Sequence, residues 1–355
     1  MKVVSPLLKH AVFPGLAKLG YLRRRQGVGP AIVTYHGIMP RGYAMIDPDL
    51  DGSLVTAGSF RRQLKLLKDR FTVISPLQFL GWCEATEDLP PRAVLLTCDD
   101  DLRNTLTDMV PILQEHGFSC LFFVTGASLG EVPTMLWFEQ LYLMFLASKK
   151  KIVNLDVARS GFRDRAMSQH EKRVLWWNLV KHLSKYDASV RQGLINEVRI
   201  QMELGDDWSV QLISDPLRRR FLMLNASELR GLLSAGMCVG AHTMSHPVLS
   251  QLSREAAWSE IKESRCQLEQ ALGQPVWALA YPFGGAECVS DREYEMAERA
   301  GFKCAFLNGC GGFGAPMPRF ALPRVHVTGA MNLGEFEAHV SGFYRWLRER
   351  FMGSS

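Results

Sequence analysis

The sequence predicts an α/β fold built on parallel strands, and three features carry that expectation. Apolar, strand-like runs recur from Ala31 to Val327, amphipathic helical stretches separate most of them, and the connections are short. Such alternation joins parallel strands through helical crossovers. The resulting sheet either lies open or closes into a barrel, and in a barrel the functional groups gather at the C-terminal strand ends. Polar residues fall at such places here. His36, Asp99 to Asp101, His242, the run Tyr281 to Gly285, and His326 each follow an apolar run.

The first segment, MKVVSPLLKHAVFPGLAKLGYLRRR, is amphipathic and basic. Pro6, Lys9, Pro14 and Lys18 interrupt it, so it lacks the ~20 uninterrupted apolar residues of a spanning helix. It also lacks the compact apolar core and small-residue cleavage site of a secretory leader. Two placements suit it: an anionic membrane surface, or a helix packed on the domain. AIVTYHG (31–37) reads as a strand entering a loop. TAGSFRRQLKLLKDRF reads as a helix with Ser59 as N-cap and Phe60, Leu64 and Leu67 on one face. TVIS is a short strand. Val94 to Leu96 do not alternate with polar residues, as expected of a strand buried on both faces. A helix over about Leu106–His116 follows, with Pro111 at its first turn or at a bend and Gly117 as terminator. SCLFFVTG is the next strand.

From about 131 to 220 the rhythm changes. This stretch is rich in Trp, Leu, Lys and Arg and reads as a helical insertion with Trp137, Phe138, Tyr142 and Phe145 in its core. Alternation then resumes. NASELRGLLSAG is a helix with Asn225 as N-cap, Glu228 completing a capping box and Gly236 as stop. MCVGAH is a strand, and a helix runs from cap Ser253 to Gly273. VWALAYPFGG is a strand entering a Gly-rich loop. SDREYEMAERAG is a helix with a capping box from Ser290 and Glu293. FKCAFL and LPRVHV are strands, and LGEFEAHVSGFYRWLRERF is an amphipathic helical stretch. The glycines from Gly309 to Gly314 have no helix behind them, so they are not a phosphate-binding loop.

Composition narrows the function classes. The chain is 47% hydrophobic and 22% charged, an ordinary globular balance, with a formal charge of +5. Basic residues cluster at Leu22–Arg25, Lys149–Lys151 and Arg218–Arg220, but no basic motif interleaved with aromatics points to nucleic acid. None of the eight cysteines forms a CxxC pair, and Cys98, Cys120, Cys238 and Cys304 lie in apolar runs. They read as reduced thiols in a cytoplasmic protein rather than as a disulfide framework.

RAVLLTCDDDLRN ends an apolar strand in three adjacent carboxylates, Asp99, Asp100 and Asp101. A desolvated carboxylate is costly without a positive neighbour. A solvated turn with one Asp capping the next helix is the structural alternative. GAHTMSH supplies the second signal. His242 and His246, three residues apart between them, can converge on one cation from a helical turn or a tight loop. One carboxylate and two imidazoles make a facial triad with open positions for water and substrate. A second carboxylate of the cluster can then serve as base.

At these residues the chain resembles the polysaccharide deacetylases of carbohydrate esterase family 4. TCDDD, HTMSH, AYPFG and LPRVHV match the family's motifs in order, and TYHGI occurs early, as in many relatives. The resemblance spans about Ala31 to Tyr344. It implies a distorted, incomplete (β/α) TIM-like barrel. It also implies that Asp99 is the general base and that Asp100, His242 and His246 bind a divalent metal, Zn first, with Co, Ni or Fe as alternatives. The Phe283 N–H would stabilise an oxyanion, Pro282 and Gly284 would shape its loop, and Tyr281 would line the pocket. His326 would protonate the leaving amine, and His36 would lie near the metal. The chain departs from the pattern in three places. Cys98 replaces Phe. Asp101 replaces a Gly, with backbone strain if positive φ is required there, and offers an extra anion or ligand. Ala280 replaces the Arg that orients the base, and no DxxDW-like segment supports His326. Arg324 is the expected substitute cation beside Asp99.

The chain is therefore expected to comprise a segment 1–28, a catalytic domain 29–345 with its insertion about 131–220, and a tail 346–355. The expected reaction is metal-dependent de-N-acetylation of an amino sugar in a polysaccharide or lipid-linked glycan, releasing acetate. Reduced thiols and a basic N-terminus suggest the cytoplasm, at the inner membrane face, with peripheral membrane contact. A glycan-binding scaffold that has lost turnover and an amidase acting on a non-sugar C–N bond are the alternatives.

Overall fold

The computed structural model of the chain describes residues 5–24, 29–150, 152–155, 162–166, 168–206, 208, 214–285, 287–312 and 314–351. Arg25, Lys151, the ends of segment 1–28 and the last four residues of the expected tail lie outside them.

Helix α1 (Phe13–Lys18) precedes strand β1 (Ala31–Tyr35), followed by α2 (Pro48–Asp51), α3 (Ala57–Arg70), β2 (Thr72–Ile74) and α4 (Pro76–Cys83). Next come β3 (Ala93–Cys98), α5 (Val110–His116) and β4 (Leu121–Val124). The insertion holds α6 (Trp137–Ala147), β5 (Ile152–Leu155), β6 (Phe162–Ala166), α7 (Gln169–Leu183), α8 (Ala188–Gln201) and α9 (Asp215–Phe221). The chain returns through α10 (Ala226–Ser234), β7 (Cys238–Ala241), α11 (Arg254–Leu272), β8 (Ala278–Ala280) and α12 (Asp291–Arg299). It ends with β9 (Cys304–Cys310), β10 (Leu322–His326), α13 (Leu333–Val340) and α14 (Phe343–Phe351).

Seven parallel strands close in the order β1, β3, β4, β7, β8, β9, β10 and back to β1. This is the TIM-like barrel, incomplete by one strand. β2 does not enter the ring. It pairs with the first half of β3, Ala93 to Leu95, while β4 pairs with Thr97 and Cys98 of the same strand. β1 spans Val94 to Cys98, which places β2 and β4 together on the opposite edge.

Strand alternation sorts the residues into two layers. Ile32, Leu95, Leu121, Phe123, Ala278, Ala280, Cys304, Phe306 and Leu322 pack together inside the ring. Their neighbours Val33, Leu96, Phe122, Leu279, Ala305 and Val325 pack outward against the helices. Phe60, Leu64 and Leu67 of α3 are fully buried in that outer layer, each contributing about 1.5–3 kcal/mol.

Several local expectations need correction. The cap of α3 is Thr56, whose Oγ1 accepts the Ser59 N–H at 3.1 Å; Ser59 is the third helical residue, not the N-cap. The insertion is not wholly helical, because β5 and β6 pair antiparallel. Helix α14 runs into the stretch assigned to a tail. Before α5, Thr105–Met109 form a π-helical turn, and Pro111, with no N–H to give, sits in the first turn of α5. The capping boxes at Asn225/Glu228 and Ser290/Glu293 are present.

The insertion is fastened to the barrel by a buried ion cluster. Arg220 of α9, 1% exposed, donates Nε to Asp51 Oδ1 at 2.6 Å and Nη2 to Glu139 Oε1 of α6 at 2.8 Å. The N-terminal segment packs Phe13 and Leu22 against Phe343 and Tyr344, while Leu7, Leu19 and Tyr21 stay exposed. No helix among the described residues is long and apolar enough to cross a membrane.

Candidate metal centre and active site

The inward register that buries Leu95 also turns Thr97 and Asp99 into the barrel, just beyond the end of β3. The same parity directs Thr34 and His36 inward beyond Ile32, His242 beyond Gly240, Pro282 beyond Ala280, and Arg324 and His326 beyond Leu322. Five segments distant in sequence thus meet at one end of the ring, four of them delivering polar side chains.

Asp100, His242 and His246 form one group of potential ligands. Oδ1 of Asp100 lies 3.5 Å from His242 Nε2 and 3.2 Å from His246 Nε2. Two ligand atoms about 2.0–2.1 Å from a tetrahedral zinc stand roughly 3.3 Å apart, so these separations suit a shared divalent cation. Nδ1 of His242 is 2.7 Å from the Ala280 carbonyl. A carbonyl only accepts, so Nδ1 carries the hydrogen and Nε2 is left to bind metal. Burial pushes both imidazoles toward neutrality. In His246 burial prevails and the pKa falls below 6.5. In His242 the hydrogen bond to Asp100 and the charge of Asp99 outweigh burial, and the pKa is raised. The residues fit a divalent metal: an anion and two imidazoles face one another at distances that a cation would satisfy.

Asp99 sits beside this group but is held differently. Its carboxylate, 3% exposed, accepts two bonds from Arg324, Nη1 to Oδ1 at 2.7 Å and Nη2 to Oδ2 at 2.6 Å. Arg324 is fully buried, and it also donates Nε to the Leu307 carbonyl at 2.8 Å and Nη1 to Thr97 Oγ1 at 3.3 Å. Burial works to raise the Asp99 pKa, but the Arg324 charge, with His242, holds it below the ordinary carboxylate value. Asp99 is therefore ionised at neutral pH and able to accept a proton.

His36 lies with Nε2 4.0 Å from Asp99 Oδ2, and its ring centroid is 4.7 Å from that of His326. His326 Nε2 is buried without a partner. Burial first, then the neighbouring His36, lowers the His326 pKa to about 3. Asp101 turns away from the ligands. Its Oδ2 accepts the Ser128 hydroxyl and, at 3.4 Å, Thr125 Oγ1; burial raises its pKa to about 7. It does not join the ligand group.

Backbone strain is concentrated here. Among the described residues, eight non-glycine residues have left-handed φ, and five of them are Asp100, Asp101, Thr243, His246 and Phe283. Such conformations persist only where the surroundings over-determine them. Phe283 has φ +60 and packs edge-to-face on His246 and Trp177 of α7 and tilted against Phe138 of α6, at centroid distances of 4.8, 5.4 and 5.3 Å. Gly284, at φ +58, must be glycine, since a Cβ would stand 2.6 Å from the Asn308 nitrogen. Pro282 is buried beside it.

Tyr281 does not line the pocket. It is 1% exposed, donates its hydroxyl to the Phe320 carbonyl at 3.0 Å, and packs in the outer layer against Tyr294. It follows Ala280, which faces inward, so alternation along β8 already points Tyr281 outward. The sequence motifs do not single out Thr34, whose hydroxyl is 3.5 Å from Asp99 Oδ1, Thr97, which accepts from Arg324, or Arg220, Glu260 and Arg191, the last two bonded to the backbone of loop 243–246. Thr34 and Thr97 share the parity of His36 and Asp99, which could have found them; no local signal marks the others.

Residues 169–305 match the family model described as polysaccharide deacetylase. That span includes His242, His246 and the 281–284 loop, but neither the Asp cluster nor Arg324. No curated protein matches the chain. Among solved structures, the chain is similar to a Streptococcus pyogenes deacetylase, PplD, in complex with acetate, with TM-score 0.55, 17% identity, and 88% of this chain and 99% of that one covered. It is similar to IcaB from Ammonifex degensii, with TM-score 0.54, 17% identity, and 89% and 98% covered. It is also similar to a de-N-acetylase from Aggregatibacter actinomycetemcomitans, with TM-score 0.53, 12% identity, and 87% and 99% covered. At these identities the structures speak for the fold alone, and the family match makes the chain similar to the polysaccharide deacetylases over residues 169–305.

Proposed function

We propose that the chain hydrolyses the N-acetyl group of an amino sugar in a polysaccharide or lipid-linked glycan, releasing acetate and a free amine. The observation that carries this reading is the pairing of two units at one barrel end. Asp100, His242 and His246 converge as ligands, and Asp99 stands beside them, ionised and clamped by Arg324. Asp100, His242 and His246 would hold a divalent metal, zinc being the first choice for this donor set. When bound, that ion supplies Lewis-acid polarisation of the acyl carbonyl and acidifies water.

The chain's own residues account for the rest. Asp99 accepts the proton of the attacking water. Arg324 keeps that carboxylate charged and fixes its orientation. The Phe283 N–H is the backbone donor for the developing oxyanion. His326 starts neutral, its pKa lowered to about 3, so it brings no proton of its own to the leaving amine, against the acid role that the resemblance implies for it. The proton that Asp99 takes from water is then the one returned to the leaving amine, with His36 and His326 beside its path. The partly exposed rings of Phe138, Trp177 and Phe283 offer an apolar wall to the face of a sugar ring.

Acetate release from N-acetylglucosamine oligomers, with Zn²⁺, Co²⁺ or Ni²⁺ added, tests the reading. Asp99→Asn is expected to lose about 10²–10⁴-fold in kcat while keeping its metal. Activity in Asp99→Asn equal to wild type, or no acetate from any N-acetylated glycan, would sink it. We place the protein in the cytoplasm, at the inner membrane face. Supporting this are the free cysteines and the basic N-terminal segment with Leu7, Leu19 and Tyr21 exposed. Recovery only in a salt-insensitive soluble fraction would count against the membrane half.

A further inference from the structure

The loop carrying His242 and His246 is held from two sides by residues outside the ligand set. From the barrel side, Glu260 of α11 accepts the Met244 and Ser245 N–H groups on Oε2, each at 2.9 Å, and its Oε1 accepts the Ser245 hydroxyl. From the insertion side, Arg191 of α8 donates Nη2 to the Ser245 carbonyl at 2.9 Å, and Trp137 Nε1 donates to the His246 carbonyl at 3.0 Å. Arg191 is 3% exposed, and its guanidinium lies 4.7 Å over the Trp137 ring. Between these holders, Thr243 and His246 sit at φ +65 and +52. Two of the loop's N–H groups go to the Glu260 carboxylate; of its carbonyls, Thr243 and Met244 accept from the Gly126 and Ala127 N–H groups, and Ser245 and His246 from a guanidinium and an indole. A ligand on so strained a loop keeps its aim only while both sides hold.

We propose that Glu260 and Arg191 are positioning residues of the metal centre: by clamping loop 243–246 they set its affinity for a divalent cation, and the insertion is thereby part of the centre. This rests on reading Asp100, His242 and His246 as metal ligands. Contacts that orient metal ligands typically change affinity about 10–100-fold.

The test is Zn²⁺ affinity of the full chain, stripped of metal and titrated against a chelating dye, with urea unfolding of each variant. Glu260→Ala and Arg191→Ala are each expected to bind Zn²⁺ about 10–100-fold more weakly. Glu260→Gln, whose amide oxygen still accepts both N–H groups, is expected to stay within about threefold. Zn²⁺ binding that is lost in His242→Ala but unmoved in Glu260→Ala and Arg191→Ala overturns the proposal alone. Wild type that binds no Zn²⁺ overturns the metal reading with it. If Glu260→Ala does not fold, Glu260→Asp takes its place, being one methylene too short to reach both N–H groups. Weakening in Asp but not in Gln then supports the clamp, and equal affinity in both overturns it.

Discussion

Replacing Arg324 by methionine isolates the pair that defines the base. Methionine keeps much of the volume and removes the charge. In the wild type two bonds of 2.7 and 2.6 Å join Arg324, fully buried, to Asp99, 3% exposed. Removing one partner of a buried pair leaves the other uncompensated, at a cost of about 3–5 kcal/mol. That is a large share of the roughly 5–15 kcal/mol by which domains are stable. The pH dependence gives the sharper signature. In the wild type Asp99 has a depressed pKa, so its contribution is present above the unfolded value near 3.8 and is lost as pH falls through the lower folded value. Without Arg324 the strongest influence opposing burial is gone, only His242 and His36 still favour the charged form, and the Asp99 pKa rises. The variant should then gain stability relative to wild type as pH falls from 7 toward 5, because the buried carboxylate can protonate. Urea midpoints at pH 7, 6 and 5 measure this. The double variant Asp99→Asn/Arg324→Met should be more stable at pH 7 than Arg324→Met alone. A loss below about 1 kcal/mol at pH 7, in the range of an exposed pair, or a pH profile parallel to wild type, would refute the reasoning.

Two further expectations concern residues away from the ligands. Tyr281→Phe removes a hydroxyl bonded to the Phe320 carbonyl and should cost about 1 kcal/mol of stability with kcat/KM unchanged; a tenfold loss of activity would return the ring to the pocket. His339 packs on Tyr344 and is pushed down to about 4, first by burial and then by Arg348. The unfolded chain protonates this imidazole near 6.5, so stability present above that value is lost as pH falls toward about 4. His339→Phe should remove on the order of 1–2 kcal/mol of the drop between pH 7 and pH 5, and an unaltered drop would count against it.

Much of the site was legible because its signals are local. The apolar run before Asp99, the spacing of His242 and His246, and the capping boxes depend on neighbours within a few residues. Strand alternation, ligand spacing and helix caps mark these places, and the family resemblance implies which of them is base and which ligand. The resemblance implies a pocket role for Tyr281, whereas alternation from Ala280 places it outside. Ser59 was assigned the cap that Thr56 provides, since both are hydroxyl residues three apart and either can accept from a helix start.

The sequence by itself determined that strands and helices alternate, that carboxylates and imidazoles follow particular strands, and that one arginine stands on a late strand. Only closure of the barrel decided that Arg324 meets Asp99, 225 residues away, and that Asp100 shares its space with His242 and His246. Only docking of the insertion decided that Arg191 and Trp137 hold the loop opposite Glu260, and that Arg220 joins Asp51 to Glu139. The reason is physical. Propensity and periodicity act over a few residues, whereas the partner of a buried charge is set by which strand ends the closed ring brings together.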